Sequence, residues 1–496
     1  MKLETFPRVK SSLQPSNHPY LNGAWTPQHE EVTATDLDVI EGKIPTDIDG
    51  VYLRNTENQL HHPLGRYHPF DGDGMIHQID FRNGTASYRN RWVRTRCFQA
   101  EQEAGGSIWG GLADGPAVSK RPGFGAHGGL KDSSSTDIVV HAGKAISTFY
   151  QCGEGYVLDP ETLEQSGLAP WVPLDGISAH PKVDEATGEL LFFNYSVHAP
   201  YMHYGVVNAA GELTNYVEIP LPGPRLPHDM AFSEHWSILN DMPLFWDAEL
   251  LKRNIHAVKQ HPLPTRFALI PRHGTPDQIR WFDAAPTYVL HWLNAYEEGD
   301  EVILDGYFQE NPVPKPLPNE DGYGHLMAYV DEHSFRPKLH RWRFNLATGK
   351  TAEQRLDDRI LEFGMFNQRY AGKPYRYAYS TTTKPGWFLF NGFVKHDLVN
   401  GQSWSLNLAE GRYASEAPFV PRINAKSEDD GYLVSFITDE NTGTSECILV
   451  DCLNFEAGPV CRIALPHKIS SGTHSTWVDR SELDKAREAD SARKAA

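Results

Sequence analysis

His77-Gln78-Ile79-Asp80-Phe81, then Asn83-Gly84, then Ala86-Ser87-Tyr88-Arg89-Asn90-Arg91-Trp92-Val93 is the stretch whose reading decides the fold. Apolar and polar residues alternate on both sides of an Asn-Gly pair. Both residues of that pair tolerate positive φ, so the stretch predicts two half-buried strands joined by a tight hairpin turn. The same pattern recurs along the chain. Asp137-Ile138-Val139-Val140-His141 turns at Gly143-Lys144 into Ile146-Ser147-Thr148-Phe149-Tyr150, and Tyr204-Gly205-Val206-Val207 turns around Ala210-Gly211 into Tyr216-Val217-Glu218-Ile219. Arg341-Trp342-Arg343-Phe344 turns at Thr348-Gly349, and Trp387-Phe388-Leu389-Phe390 is followed by a turn at Asn400-Gly401. Tyr432-Leu433-Val434-Ser435-Phe436-Ile437 turns at Thr442-Gly443 into Ile448-Leu449-Val450. A chain of 496 residues made of successive antiparallel hairpins has to hide its sheet edges. A β-propeller does so by radial repetition. No exact repeat fixes a blade number, and a two-domain β-sandwich protein is the alternative that the pattern leaves open.

The hairpins follow one another without a linker between globular units, which predicts one all-β domain over residues 36–479. Residues 1–35 are rich in Pro, Asn, Ser and His and read as an irregular surface arm. Residues 480–496 are charged and Ala-rich and read as a frayed helix or a disordered tail. The run from Pro243 to Arg253 predicts a short helix with a broad apolar face.

Composition excludes several functions. Lys+Arg 46 against Asp+Glu 64 gives a net charge of −18, and no run of cations offers a phosphate backbone a partner, so nucleic acid is not expected. The N-terminal residues lack an apolar signal segment, and no stretch is apolar for long enough to span a bilayer. The five cysteines, Cys97, Cys152, Cys447, Cys452 and Cys461, are odd in number and form no Cys-x-x-Cys, which argues against a disulfide framework and for a reducing cytoplasm. Nothing in the sequence sets an oligomeric state. No Gly-x-Gly-x-x-Gly or Walker A pattern signals an organic cofactor.

Of the 23 histidines, most are expected to be hydrogen-bonded structural residues, and no local His-x-His or His-Glu-x-x-His pattern marks a metal site. Four stand apart by their setting: His180 before Pro181, His228 after Pro227, His291 after Tyr288-Val289-Leu290, and His474 between Gly472 and Trp477. Each lies beside an apolar or aromatic run and near a residue that bends the chain. In a propeller, strand ends around the axis bring residues of different blades together. Four neutral imidazoles without a carboxylate suit a divalent first-row metal and leave open positions for a small ligand.

At these residues the sequence resembles the carotenoid cleavage oxygenases, a family that includes carotenoid, apocarotenoid and lignostilbene dioxygenases. The resemblance is carried by Gly50-Val51-Tyr52-Leu53-Arg54-Asn55, Phe70-Asp71-Gly72-Asp73-Gly74-Met75, Ser178-Ala179-His180-Pro181, His228-Asp229-Met230-Ala231-Phe232, and His291-Trp292-Leu293-Asn294-Ala295-Tyr296-Glu297. Glu362-Phe363, Phe419-Val420-Pro421-Arg422 and Glu428-Asp429-Asp430-Gly431 follow in the family's order. It implies a seven-bladed β-propeller with a helical and loop cap over the active-site face. It also implies an Fe(2+) on the axis held by His180, His228, His291 and His474, and oxidation of a conjugated C=C bond by O2 to two carbonyl products.

Further roles come only from the resemblance. Glu362 and Glu416 match carboxylates that hydrogen-bond the outer imidazole nitrogens. Where the family commonly has a third glutamate, this chain has Tyr150-Gln151, and which of the two occupies the slot is ambiguous by one residue. Thr136 matches a threonine that crowds the sixth iron position; a strand-start cap is the alternative. Phe70, Phe98 and Phe308 are candidates for an aromatic substrate passage, with ordinary core packing the alternative. Lys131 resembles a lysine with which stilbene-cleaving members hold a phenol oxygen, but the tyrosine that accompanies it there is matched by Phe98, which has no hydroxyl. Residues 244–251 fall where relatives carry an apolar surface for peripheral membrane contact, with packing against a neighbouring blade the alternative. The expected substrate is a carotenoid or apocarotenoid. Phenolic stilbenes or alkenyl phenols are the second reading, and a non-catalytic binding propeller is the third.

Overall fold

The computed structural model describes all residues except 113, 125–128, 247, 253–257, 311–335, 384–387 and 496. The deciding hairpin forms as its residues dictate. Asp73–Arg82 pairs antiparallel with Thr85–Trp92, and Asn83 and Gly84 take φ of 50° and 74°, the left-handed pair that matches the twist of the two strands. Seven such sheets arise in chain order, and they form a seven-bladed β-propeller.

The first blade contains Gly50–Asn58, Asp73–Arg82 and Thr85–Trp92, extended outward by Val32–Thr35 and Lys2–Thr5. The stretch expected to be an irregular arm therefore supplies two strands, alongside the 3-10 turns Pro19–Leu21 and Gly23–Trp25. Blade two runs from Asp137–His141 through Lys144–Thr148 and Tyr156–Leu158 to Gln165–Leu168, and blade three from Lys182–Asp184 through Glu189–Tyr195 and Met202–Val207 to Leu213–Glu218. Blade four holds Ala231–Phe232, Trp236–Asp241, Thr265–Pro271 and Arg280–Ala284. Blade five holds Trp292–Glu298, Glu301–Phe308, Lys338–Asn345 and Lys350–Arg355; blade six holds Leu361–Met365, Tyr377–Thr383, Phe390–Asp397 and Gln402–Asn407. Blade seven is built on Gly431–Asp439, Thr444–Asp451 and Pro459–Ala464.

The ring is closed twice. Ser475–Asp479 pairs with Gly50–Asn58 in the first blade, and Val39–Gly42 pairs with Pro459–Ala464 in the last. Arg54, 1% exposed, reinforces the closure by donating to Ser415 Oγ at 2.9 Å and to the Ser470 carbonyl at 2.7 Å. Between blades the cores are aromatic. Phe267, fully buried, packs against Trp292, Trp342 and Phe344, and truncating it to Ala would cost about 3–5 kcal/mol.

The helix expected over residues 243–253 is a strand followed by one helical turn. Leu244–Trp246 pairs with Val258–Gln260, and the turn is Ala248–Leu251. Three consecutive buried side chains suit a strand packed on both faces better than an amphipathic helix. Leu244, Phe245 and Trp246 all face inward, with Phe245 stacked on His261 at 3.6 Å; residues 247 and 253 of that stretch lie outside the described residues, as does Trp387. Beyond residue 480 the helical reading holds, as Arg480–Ala495. Between blades one and two lies the helix Arg96–Ala104, with Thr95 as N-cap. All five cysteines are free and buried. Among the described residues, no helix is long and apolar enough to cross a membrane.

Candidate metal centre

Each blade delivers one polar residue at or just before the start of an inner strand. Asp137 opens Asp137–His141 in blade two, and His180 lies just before Lys182–Asp184 in blade three. His228 precedes Ala231–Phe232, His291 precedes Trp292–Glu298, and Glu362 lies within Leu361–Met365. Glu416 precedes Phe419–Pro421, and His474 precedes the closing strand Ser475–Asp479. Asp137–His141 touches both Lys182–Asp184 and the closing strand Ser475–Asp479, and Trp292–Glu298 touches both Ala231–Phe232 and Leu361–Met365, so residues hundreds of positions apart converge.

The four histidines meet. Ring centroids lie 4.4 Å apart for His180 and His474, 4.7 Å for His291 and His474, and 5.2 Å for His180 and His291. His228 lies 4.9 Å from His180 and 5.2 Å from His291. One ring nitrogen from each of His180, His291 and His474 falls within 4.8 Å of the others, and all three residues are buried. His180 Nε2 and His291 Nε2 are buried with no hydrogen-bond partner, an arrangement whose cost a cation would remove. The donor set therefore fits a first-row divalent metal. His180 takes φ of 64° and Phe363 takes 48°, left-handed conformations that cost non-glycine residues about 1–3 kcal/mol each.

Carboxylates hold the outer nitrogens. His291 Nδ1 lies 2.5 Å from Glu362 Oε2, and His474 Nδ1 lies 3.3 Å from Glu416 Oε1. The other Glu416 oxygen accepts from the Ser475 N–H at 2.6 Å, which fixes the carboxylate. Burial pushes the Glu362 carboxyl up to about 8 and holds His291 well below the usual imidazole value, so without a cation this pair favours neutral forms. Burial, then the surrounding imidazoles, likewise lower His180 and His228. His474 differs: burial opposes its charge, but Glu416 and then Asp137 raise it to about 9.

Gln151 Nε2 donates to the Tyr150 hydroxyl at 3.0 Å, and the Tyr150 carbonyl accepts from Tyr195 and Ser178. Thr136 is buried; its Oγ1 accepts from the Tyr150 N–H at 3.2 Å and its carbonyl from Thr473 Oγ1 at 2.9 Å, beside His474.

Three side chains near the centre were not singled out from sequence. Asp137 Oδ2 lies 3.3 Å from His180 Nδ1. Glu57, 4% exposed, takes a hydrogen bond from Thr473 Oγ1, and burial pushes it up to about 8. Phe363 lies nearly flat on His291, with centroids 4.9 Å apart at 23°, and edge-on to His474 at 5.0 Å. The sequence signal for Phe363 was its place after Glu362 in the Glu-Phe block.

Phe363 joins the imidazoles to an aromatic cluster of Trp25, Phe70, Phe388 and Phe390. Phe70 is thus in the cluster, 6.1 Å from Phe388 and 5.9 Å from Tyr150. Phe98 packs instead with Leu60, Met75 and Trp92, and Phe308 packs in the blade-four to blade-five core against His340. Lys131 is enclosed by two carboxylates, with Nζ 2.8 Å from Asp73 and 2.9 Å from Glu101. His180, His291 and His474 also line a cavity of about 440 Å³ with a different wall, which includes Lys182, Asp229, Arg369 and Asp479.

The model of the family described as Retinal pigment epithelial membrane protein (RPE65) matches residues 25–479. A carotenoid 9,10(9',10')-cleavage dioxygenase 1 from Pisum sativum is 31% identical over 94% of this chain and 91% of its own. Among solved structures, the lignostilbene dioxygenase of Pseudomonas brassicacearum superposes with a TM-score of 0.83 at 25% identity, covering 94% of this chain and all of that one. A variant of the Synechocystis apocarotenoid oxygenase superposes at 0.80 with 26% identity, covering 92% and 98%. With the propeller, the buried imidazole group and these matches along nearly its whole length, the chain belongs to the carotenoid cleavage oxygenase family and is an oxygenase acting in oxidative C=C cleavage.

Proposed function

We propose that the protein is an Fe(2+) oxygenase that uses O2 to cleave a C=C bond of a neutral, extended polyene of the carotenoid or apocarotenoid class. The observation that carries this is the convergence of four imidazoles, three of them buried and two with orphaned Nε2 atoms, against an aromatic cluster. His180, His228, His291 and His474 would hold the metal. Iron, when bound, supplies the redox chemistry by which O2 and an alkene become two carbonyl compounds.

The chain's own groups do the rest. Glu362 and Glu416 receive the Nδ1 protons of His291 and His474, which fixes each ring's tautomer and raises its basicity. Phe363 covers the face of His291 and excludes water from that side. Trp25, Phe70, Phe388 and Phe390 present hydrocarbon faces to an apolar chain. Lys131, held between Asp73 and Glu101, is already neutralised, and a phenolate there would face two carboxylates. This favours an uncharged substrate over a phenolic stilbene. Five free, buried thiols fit a reducing cytoplasm.

The test is product analysis. Iron-loaded protein is incubated in air with an apocarotenal and, separately, with a hydroxystilbene, and the aldehydes are identified. Cleavage of the apocarotenal alone is the expected result. Cleavage of the hydroxystilbene alone would replace this substrate class with the phenolic one, and cleavage of neither by protein that takes up no iron would return the propeller to a binding role.

A further inference from the structure

We propose that Asp137 is a positioning residue of the metal centre. Its carboxylate orients the His180 ring through Nδ1, so the centre has three carboxylate-held imidazoles although Tyr150 and Gln151 bring no carboxylate to it. The inference rests on the reading of the histidines as metal ligands.

Four observations carry it. Asp137 Oδ2 stands 3.3 Å from His180 Nδ1, the same separation as Glu416 from His474. The other oxygen, Oδ1, accepts from the Ile138 N–H at 2.7 Å, so the carboxylate is held in place. The Asp137 carbonyl accepts from Asn55 Nδ2 at 3.2 Å, which ties the strand start to the first blade. His180 Nε2 is buried and unpartnered, and this is the nitrogen left free for a cation while Nδ1 faces Asp137.

A space-filling or strand-capping Asp would need only the Ile138 contact. The second oxygen aimed at an imidazole serves the ring instead. Such a carboxylate selects the tautomer with hydrogen on Nδ1, leaves the Nε2 lone pair for a cation, and adds negative charge that makes the imidazole a stronger donor. The position also completes a symmetry of supply: blades two, six and seven give carboxylates, and the three histidines these hold come from blade three, blade five and the closing strand of blade one.

The experiment compares wild type with Asp137→Asn, which keeps the shape and an acceptor but removes the charge. Zn(II) and Co(II) affinities are measured by titration, the Co(II) ligand-field spectrum is recorded, and the Fe(III)/Fe(II) midpoint is measured on iron-loaded protein. The expected result is a loss of metal affinity of about tenfold or more, displaced Co(II) bands and a raised midpoint, with the far-ultraviolet circular dichroism unchanged. Unchanged affinity, bands and midpoint in a folded variant would overturn the proposal. If Asp137→Asn does not fold, the wild type answers. In ¹⁵N-histidine-labelled protein, three strongly deshielded imidazole N–H protons should appear only on Zn(II) loading; two would overturn the role of Asp137. Wild type that takes up no divalent metal defeats the metal reading itself, a result distinct from a variant that binds as well as wild type.

Discussion

The imidazoles border two unlike regions. In one, Phe363, Phe388, Phe390 and Trp25 pack ring against ring, at centroid distances between 4.9 and 6.4 Å. In the other, the cavity wall carries matched charges among apolar side chains: Lys182 lies 2.8 Å from Asp229, and Arg369 lies 2.9 Å from Asp479. The aromatic region gains its energy from area and shape, which tolerate exchange for groups of similar volume. The charged region gains it from pairing, and removing Lys182 would leave the buried Asp229 without its cation. The centre lies where the two meet, and its own members follow the second rule.

The comparison breaks first at the imidazoles. His291→Ala removes a ring that no neighbour replaces, and turnover together with bound iron should fall to background, measured by oxygen uptake and metal analysis. Next, Lys131→Met leaves Asp73 and Glu101, each 2% exposed, buried without their cation, and should cost about 3–5 kcal/mol in urea denaturation. That loss depends on pH. Burial already raises Asp73 to about 6, against the attraction of Lys131 that lowers it. Without the lysine its folded value rises further above the unfolded one, so the folded state binds the proton more tightly and stability falls as pH rises. The deficit should be smallest below about pH 6, where Asp73 is protonated in both folded proteins, and should grow as the pH rises above it.

Smaller effects sharpen the contrast. Lys182→Met should cost about 1–3 kcal/mol, because Asp229 keeps the Trp292 and Met230 N–H groups when the cation is gone. On the aromatic side, Phe388→Leu should cost less than about 1.5 kcal/mol and leave iron content unchanged, while the apparent KM for a polyene rises. A Phe388→Leu protein that lost its iron would dissolve the distinction between the two regions.

The hairpins were legible because Asn83-Gly84 and its counterparts carry their conformation locally, whatever surrounds them. Blade number was carried by no repeat and came from the resemblance alone, and the strands at 2–5 and 32–35 were not legible, because neither pairs with a neighbour across a local turn. The turn of chain at 243–253 misled because Leu244, Phe245 and Trp246 are apolar without revealing a period. At the centre, the four histidines came from motif resemblance rather than spacing. Asp137 was hidden in Ser-Thr-Asp at a strand start, where an Asp reads as a local cap, and its contact with His180 exists only across two blades. Phe98 and Phe308 look like Phe70 in sequence, and only the packing separates a residue of the site's cluster from two residues of other cores.

The double closure of the ring has a consequence for biosynthesis. His474 reaches its partners only when Ser475–Asp479 lies against Gly50–Asn58, so an emerging polypeptide carries the other three imidazoles from residue 291 onward with no finished pocket around them. Capture of a metal by all four imidazoles would then be a late maturation event, governed by when the two ends of the circle meet.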